Sequence, residues 1–196
     1  MTTTAISGLV LAGGQSRRMG RDKAALEWQG GSLLMHMRRL LLTAGADPVR
    51  VSGDYPAHEG IVDVTPGCGP LGGLASALVH LPDGPAWIVP VDMPRLSVSL
   101  LHELRDAHHS PVVIFSGQPL PMRLNIDLRC RTLIMQMIDQ VDGPRALRAL
   151  QERLGVIELP VAAVDFPFLA NCNTPSNGRT LRHEAAVPTP IPAHPP

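Results

Sequence analysis

The chain has 196 residues and no formal net charge, because 17 basic side chains balance 17 acidic ones when histidine is neutral. Its 44% hydrophobic and 17% charged residues are typical of a soluble globular protein. This balance excludes a globally basic surface for nucleic acid, and no stretch approaches the roughly 20 apolar residues of a membrane span.

Apolar runs bounded by turn residues alternate with helical patterns through the first half of the chain. Strands are predicted at residues 6–12, 48–52, 60–64, 86–92 and 111–115. Helices are predicted between them at residues 32–45, 71–81 and 97–109, the first of them closed by Gly45. Strands separated by helices of this length are typical of parallel βαβ units. The pattern therefore predicts an α/β protein with helices on both faces of the sheet.

The second half is less regular. Residues 118–126 are extended but interrupted by prolines, which favours an edge strand or a loop. Helices are then predicted at residues 131–140 and 144–155, and short strands at residues 156–160 and 168–173. A last helix is predicted at residues 174–185. We expect one domain over residues 1–184 and a proline-rich, disordered tail over residues 185–196.

The cysteines and the amino-terminal sequence favour a cytoplasmic setting. Cys68, Cys130 and Cys172 are far apart, odd in number and without a CxxC pair, so a disulfide framework is not expected. Cys68 is interpreted as a small buried or loop residue rather than a nucleophile, since no base stands near it in sequence. The first residues show neither a basic leader nor a cleavage site.

Two glycines and several cations follow the first predicted strand, in the segment LAGGQSRRMGRDK at residues 11–23. Gly13 and Gly14 allow a tight bend with N–H groups facing an anion, and Arg18 and Lys23 add mobile positive charge. The spacing fits neither GxGxxG nor the P-loop, which disfavours a dinucleotide-binding oxidoreductase. A glycine turn with a solvated basic face is the alternative interpretation.

Two further loops are predicted at the same edge of the sheet. In GCGPLGGL, Gly72 and Gly73 permit the backbone to approach a ligand closely, or permit a helix to pack tightly on the sheet. Taken by itself, this motif favours the packing interpretation. In VDMP, Asp92 ends an apolar strand, where it can pair with the nearby cations or hold a Mg²⁺ that bridges nucleotide phosphates. Because ligands bind at the carboxyl ends of such strands, the three loops together indicate Mg²⁺-dependent nucleotidyl transfer.

These motifs resemble those of a known family. LAGGQSRRMGRDK is similar to the LAGGxSxRMGxDK signature of the molybdenum cofactor guanylyltransferases, and GPLGGL, VDMP and NCNTP follow in the family's order. The resemblance spans the chain to about Arg182. It implies a three-layer, Rossmann-like fold of the glycosyltransferase-A or nucleotide-diphospho-sugar transferase type, with a mostly parallel central sheet.

The resemblance also implies roles for individual residues. Nucleotide contacts are implied for Leu11, Ala12, Gly13, Gly14, Lys23, Ser52, Asp63 and Asp92. Catalytic roles are implied for Lys23, Arg18 and Asp92, of which Asp92 is also the expected Mg²⁺ ligand. The side of the pterin substrate is implied for Pro121, Arg123, Asn171 and Asn173. Ser52 departs from the family, since relatives often carry asparagine there.

The implied reaction transfers GMP from GTP to molybdenum-bearing molybdopterin, releasing pyrophosphate. The expected partners are GTP, the pterin substrate and the enzymes or chaperones that receive the cofactor, with no nucleic acid and no membrane. Three alternatives stay open: CTP as the donor, a sugar-phosphate or isoprenoid acceptor, and a non-catalytic nucleotide-binding protein. The presence of both Lys23 and Asp92 disfavours the last of these.

Overall fold

The computed structural model describes residues 5–13, 22–65, 67–107, 110–140 and 146–172. Its strands are β1 (Ile6–Leu11), β2 (Glu27–Trp28), β3 (Gly31–Ser32), β4 (Ala46–Ser52), β5 (Gly84–Pro90), β6 (Val112–Phe115), β7 (Gln118–Ile126) and β8 (Val156–Leu159). Its helices are α1 (Leu33–Thr43), α2 (Gly69–Leu78), α3 (Val98–Asp106), α4 (Leu128–Asp139) and α5 (Leu147–Leu154). Short 3-10 turns lie at Lys23–Ala25, Pro56–His58 and Phe166–Leu169.

Six strands form one sheet in the order β4-β1-β5-β7-β6-β8, and β2 and β3 form a separate hairpin. β1 is parallel to both β4 and β5, and β6 is parallel to β8. Only β7 runs antiparallel to its neighbours in this sheet. The predicted α/β class with a mostly parallel sheet is confirmed.

Helices cover both faces of the sheet because adjacent strand residues point to opposite sides. Val10, Trp87 and Val113 face one buried cluster, which includes residues of α1 and α3. Their neighbours Leu9, Ile88 and Ile114 face the other cluster, which includes residues of α2, α4 and α5. Each core strand is therefore buried on both sides, which explains its continuous apolar run.

Local capping explains several of the helix boundaries. The Ser32 and Ser97 hydroxyls accept backbone N–H bonds at the starts of α1 and α3. The Asp127 carboxylate accepts the Cys130 N–H at 2.8 Å, so α4 begins three residues before the predicted Arg131. Gly45 follows α1 with φ +95°, as predicted for a closing glycine.

The prediction of an edge strand or loop at residues 118–126 is wrong, because β7 lies inside the sheet between β5 and β6. Its pairing with β5 runs from Met122 to Ile126 and starts after both Pro119 and Pro121. The prolines, which have no N–H to donate, therefore stand outside the part of β7 paired with β5. Proline position along the strand, rather than proline content, decides whether the strand can be internal.

Two of the predicted short strands are also wrong. Of residues 60–64, only Ile61 forms a β-bridge, with Ser52, and Asp63 then turns the chain by accepting the Thr65 N–H at 2.9 Å. Residues 166–169 form a 3-10 turn instead of starting a strand, with the Phe168 N–H bonded to Asp165 O.

The predicted last helix, the proline-rich tail and the last two residues of the predicted helix 97–109, His108 and His109, lie outside the described residues. The domain boundary at residue 184 therefore stays a prediction. Within the described ranges, no helix is long and apolar enough to cross a membrane.

Arg131 connects α4 to the end of α2, so its removal should destabilise the fold. Its guanidinium donates to Leu78 O, to Leu81 O at 2.8 Å and to the Asp83 carboxylate at 2.7 Å. We expect Arg131→Ala to lower the free energy of unfolding by about 2 kcal/mol, measured by urea denaturation, because these carbonyls lose their donor.

Arg129→Ala is the matched control on the same helix. Arg129 makes one exposed bond to Arg153 O, and its loss should cost less than about 0.5 kcal/mol. Equal losses for the two variants would contradict the connecting role of Arg131.

Candidate functional site

The candidate site lies at the carboxyl ends of the three parallel strands β4, β1 and β5. The segments that leave these strands begin at Gly53, Ala12 and Val91. Parallel strands end at a common edge, and ligands bind there in open α/β sheets. The structure therefore brings the described ends of the first predicted loop, and the third predicted loop, to one edge through strand order.

A tight bend follows β1. The Ala12 and Gly13 N–H groups both donate to Ser52 O, at 3.0 and 2.7 Å. A Cβ on Gly13 would lie 3.3 Å from Gly53 Cα, so glycine permits this approach of the two strand ends. In this structure the Gly13 N–H is bonded to Ser52 O instead of being open to an anion, and the predicted nucleotide contacts of Leu11, Ala12 and Gly13 stay predictions. Gly14 and Arg18 lie outside the described residues.

Lys23 and Asp92 form an ion pair, with 2.8 Å between Nζ and Oδ2. Asp22 precedes a 3-10 turn and caps it by accepting the Ala24 N–H at 3.0 Å, and this turn presents Lys23. Asp92 stands two residues beyond β5. The side chains of Lys23 and Asp92 are 22% and 17% exposed, so the pair is shielded yet reachable from solvent. Of the two roles that the sequence allows for Asp92, pairing with a nearby cation is present in this structure.

The chain at Asn171 and Cys172 lies beside Asp92, since the Cys172 N–H donates to the backbone carbonyl of Asp92 at 2.8 Å. Asn171 is exposed next to this bond, so the structure brings this predicted residue to the same edge. Burial raises the pKa of the Cys172 thiol, and the Asp92 carboxylate raises it further, which keeps the thiol protonated near neutral pH. Asn173 lies outside the described residues.

The loop that carries Asp92 is tied to α1. His36 Nε2 lies 2.8 Å from Pro94 O, and the His36 ring meets Trp28 edge to face. Burial lowers the pKa of His36, which favours the neutral ring, and the carbonyl requires that Nε2 carry the proton. The hairpin of β2 and β3, through Trp28, thus contributes to holding the chain around Asp92.

Ser52 lies between the bend after β1 and helix α2. Its side chain is buried, with the residue 1% exposed. A Cβ on Gly73 would overlap Ser52 Oγ, so α2 packs directly on the end of β4. For Gly73, tight helix–sheet packing is thus the interpretation that the structure supports.

Asp63 organises the loop before α2. Its Oδ1 atom accepts the Thr65 N–H at 2.9 Å and the Ser76 hydroxyl at 3.3 Å, which joins the loop to α2. A Cβ on Gly72 would lie 3.0 Å from the other carboxylate oxygen. These contacts give Asp63 a structural role, and its nucleotide contact stays a prediction.

Arg123 and Pro121 are buried in β7. Pro121 precedes Met122, which pairs with Ile88, so Pro121 lies toward the carboxyl end of β5, and its predicted substrate contact stays a prediction. Arg123 pairs in register with Trp87 and Val113, and its guanidinium donates to Ser110 O at the amino end of β6. Burial lowers the pKa of Arg123 below the usual guanidinium value. This position gives no support to the predicted substrate contact of Arg123.

Tyr55 is a site residue that the sequence motifs do not predict. Its hydroxyl lies 2.9 Å from Asp22 Oδ1 and 3.3 Å from Ala12 O. It is the single tyrosine of the chain and stands three residues after β4. A lone aromatic polar residue just beyond a strand end was the available signal.

The described residues fit a magnesium ion that arrives with phosphate. Among them, no three His, Cys, Asp or Glu side chains form a metal-binding group. Mg²⁺ commonly takes one or two protein carboxylates and completes its shell with phosphate oxygens and water. Asp92, at the edge of the sheet and partly open to solvent, is a donor of that kind.

Cys68 lies at the start of α2, where it is 6% exposed. The prediction that it is a small buried residue is confirmed.

Known proteins resemble this chain in sequence and in fold. A family model described as the MobA-like NTP transferase domain matches residues 8–156. A molybdenum cofactor guanylyltransferase of Xanthomonas euvesicatoria pv. vesicatoria (strain 85-10) is 45% identical over 91% of this chain and 95% of the relative. One of Pseudomonas fluorescens (strain SBW25) is 33% identical over 86% of this chain and 90% of the relative.

Two solved structures share the fold. The molybdopterin-guanine dinucleotide biosynthesis protein A of Archaeoglobus fulgidus has a TM-score of 0.71 at 21% identity, covering 92% of this chain and 98% of its own. The 2-C-methyl-D-erythritol 4-phosphate cytidylyltransferase of Thermus thermophilus has a TM-score of 0.67 at 17% identity, covering 94% of this chain and 100% of its own.

The close approach of Gly73 to Ser52 predicts that a second substitution partly restores the stability lost through a first one. Gly73→Ala should destabilise the fold by about 1–3 kcal/mol, because the new methyl group meets Ser52 Oγ in a packed interior. Adding Ser52→Ala removes that oxygen and leaves Ser52 Cβ at 3.5 Å, an ordinary contact. The double variant should therefore be more stable than Gly73→Ala alone in thermal unfolding. Simple additivity of the two changes would contradict the contact.

Proposed function

Because this chain belongs to the molybdenum cofactor guanylyltransferases, which are nucleotidyltransferases with a MobA-like NTP transferase domain, we propose that it transfers GMP from GTP to molybdenum-bearing molybdopterin. The products are the molybdopterin guanine dinucleotide cofactor and pyrophosphate. The observation that carries the proposal is the Lys23–Asp92 pair at the carboxyl ends of β1 and β5, with Asn171 and Cys172 beside it.

Lys23 is the residue that binds the triphosphate. In the ligand-free protein its ammonium group is matched by Asp92 at 2.8 Å. Phosphate oxygens offer the same ammonium group more negative charge, and a lysine binds them as a compact point charge. Arg18 supplies a second cation in this proposal, on the strength of the sequence motif.

Asp92 is the residue that would hold Mg²⁺. When Lys23 turns to the phosphates, the Asp92 Oδ2 atom loses its cationic partner and can take a metal ion in its place. When bound, Mg²⁺ neutralises negative charge on the phosphate oxygens and thereby favours departure of pyrophosphate. Lys23 adds to that neutralisation from the protein side.

The acceptor attacks without needing a protein base. A phosphate monoester has its second pKa near 6, so the pterin phosphate already carries an attacking anionic oxygen at neutral pH. A bond forms between that oxygen and the α-phosphorus of GTP, and the bond from the α-phosphorus to the bridging oxygen of pyrophosphate breaks. In this proposal Asn171, which is exposed beside Asp92, contacts the acceptor, and Asn173 is assigned the same side by its motif.

The cellular setting belongs to the same proposal. Cys68, Cys130 and Cys172 are free thiols, in keeping with a reducing cytoplasm. Transfer of the product to a recipient enzyme or its chaperone follows from the family role, and we assign no surface to it.

Loss of either member of the ion pair should abolish most of the activity. We expect Lys23→Ala and Asp92→Asn each to lower kcat/KM for pyrophosphate release by about 100-fold or more, since each removes a charge that stabilises the transition state. The assay uses molybdenum-loaded molybdopterin, GTP and Mg²⁺. Arg105→Ala is the matched control, because it breaks an exposed ion pair with Asp106 at the far end of α3. Near-normal turnover in Asp92→Asn would contradict the assignment.

Nucleotide choice separates the proposal from its alternatives. We expect turnover with GTP to exceed turnover with CTP, and EDTA to stop both. Faster turnover with CTP would indicate a cytidylyltransferase, and transfer to a sugar phosphate would indicate a different acceptor class. Tight Mg²⁺–GTP binding without pyrophosphate release would indicate a non-catalytic nucleotide-binding protein.

A further inference from the structure

The Tyr55 hydroxyl connects two segments of the candidate site. It lies 2.9 Å from Asp22 Oδ1, just before Lys23, and 3.3 Å from Ala12 O, just after β1. Ala12 and Asp22 stand on either side of residues 14–21 in the sequence. One side chain, from the loop after β4, therefore contacts both chain segments that flank the cationic part of the signature motif.

The backbone around Tyr55 holds its ring in place. Gly53 has φ +127°, and a Cβ there would lie 2.6 Å from Tyr55 Cε2, so the ring rests on the glycine backbone. The Gly60 and His58 N–H groups both donate to Tyr55 O, which closes the loop behind it. The ring also packs against the buried cluster shared with α1 and α3. These contacts of the ring and the backbone fix the position of the Tyr55 hydroxyl.

The bond to Asp22 is the principal one. A phenol has one proton to donate, and the carboxylate is both closer than Ala12 O and charged, so it is the stronger acceptor. The same Oδ1 atom accepts the Ala24 N–H that caps the turn Lys23–Ala25. Tyr55 therefore sets the orientation of the carboxylate that starts the Lys23 turn.

We propose that Tyr55 is a positioning residue for nucleotide binding, acting through Asp22 on Lys23. This inference rests on the proposed function, because it takes Lys23 as the ligand of the triphosphate. Tyr55 orders the Lys23 turn before the nucleotide arrives, so that less ordering is required on binding. Once the nucleotide is bound, the phosphates themselves hold the ammonium group. The hydroxyl should consequently affect binding far more than the chemical step.

Tyr55→Phe tests this directly, since it removes the hydroxyl and keeps the ring over Gly53. We expect the dissociation constant of Mg²⁺–GTP, measured by calorimetry, to rise about tenfold, while kcat changes less than about threefold. The melting temperature should change little, because Asp22 is exposed and water can replace the lost donor. An unchanged dissociation constant would overturn the proposal, as would a loss of stability large enough to explain the weaker binding.

Asp22→Asn tests the route through Asp22. It keeps a capping oxygen for Ala24 N–H but weakens the bond from Tyr55 by removing the charge. If Tyr55 acts through Asp22, the double variant should bind Mg²⁺–GTP about as weakly as the weaker single variant. Independent, multiplying effects would overturn this route.

Ser110→Ala is the matched control. The Ser110 hydroxyl lies 3.0 Å from Val112 O and 3.2 Å from Gly155 O, so it also contacts two chain segments, but at the opposite end of the sheet. Its loss should leave the dissociation constant unchanged. An increase like that of Tyr55→Phe would show a general effect of lost hydroxyl contacts and would overturn the positioning role.

A spectroscopic signal tests the hydrogen bond between Tyr55 and Asp22 itself. Because the chain contains one tyrosine, ¹³C labelling of its Cζ atom yields a single signal for Tyr55. We expect this signal to shift in Asp22→Asn and to stay unchanged in Ser110→Ala. Binding without guanylyl transfer in the wild type would contradict the proposed function alone, since the calorimetric effect of Tyr55→Phe does not depend on turnover.

Discussion

The ion pair between Lys23 and Asp92 is the contact on which the candidate site depends. It joins the segment after β1 to the segment after β5 across 2.8 Å, in side chains that are mostly shielded from water. Each charge is balanced by the other, so a ligand that engages both must bring anionic oxygens for the lysine and a cation for the carboxylate. The magnesium–triphosphate of our proposal carries both, which a simple anion or a bare metal ion does not.

Close packing around Ser52 is the second constraint. Its carbonyl accepts two N–H bonds from the bend after β1, and its hydroxyl stands where any side chain at Gly73 would project. Glycine at positions 13 and 73 therefore serves the approach of backbone to backbone and helix to strand. The Gly13 N–H is bonded to Ser52 O, and our proposal therefore assigns the positive charge for an anion to side chains such as Lys23.

The fold by itself says little about the acceptor. A molybdopterin-guanine dinucleotide biosynthesis protein and a 2-C-methyl-D-erythritol 4-phosphate cytidylyltransferase share this fold, with TM-scores of 0.71 and 0.67. Proteins with different names thus share one sheet architecture, as expected when specificity resides in the loops. The family assignment rests on the sequence relatives, one of which is 45% identical along nearly its whole length.

The sequence by itself determined the α/β class, most elements and the three charged or glycine-rich loops, because hydrophobic periodicity, capping serines and closing glycines act over a few residues. The tertiary structure decided the internal place of β7, the contact of Cys172 with Asp92, and the reach of Tyr55 to Asp22. Each of these depends on which strands become neighbours. Strand order arises from the packing of the whole chain, so no local pattern encodes it.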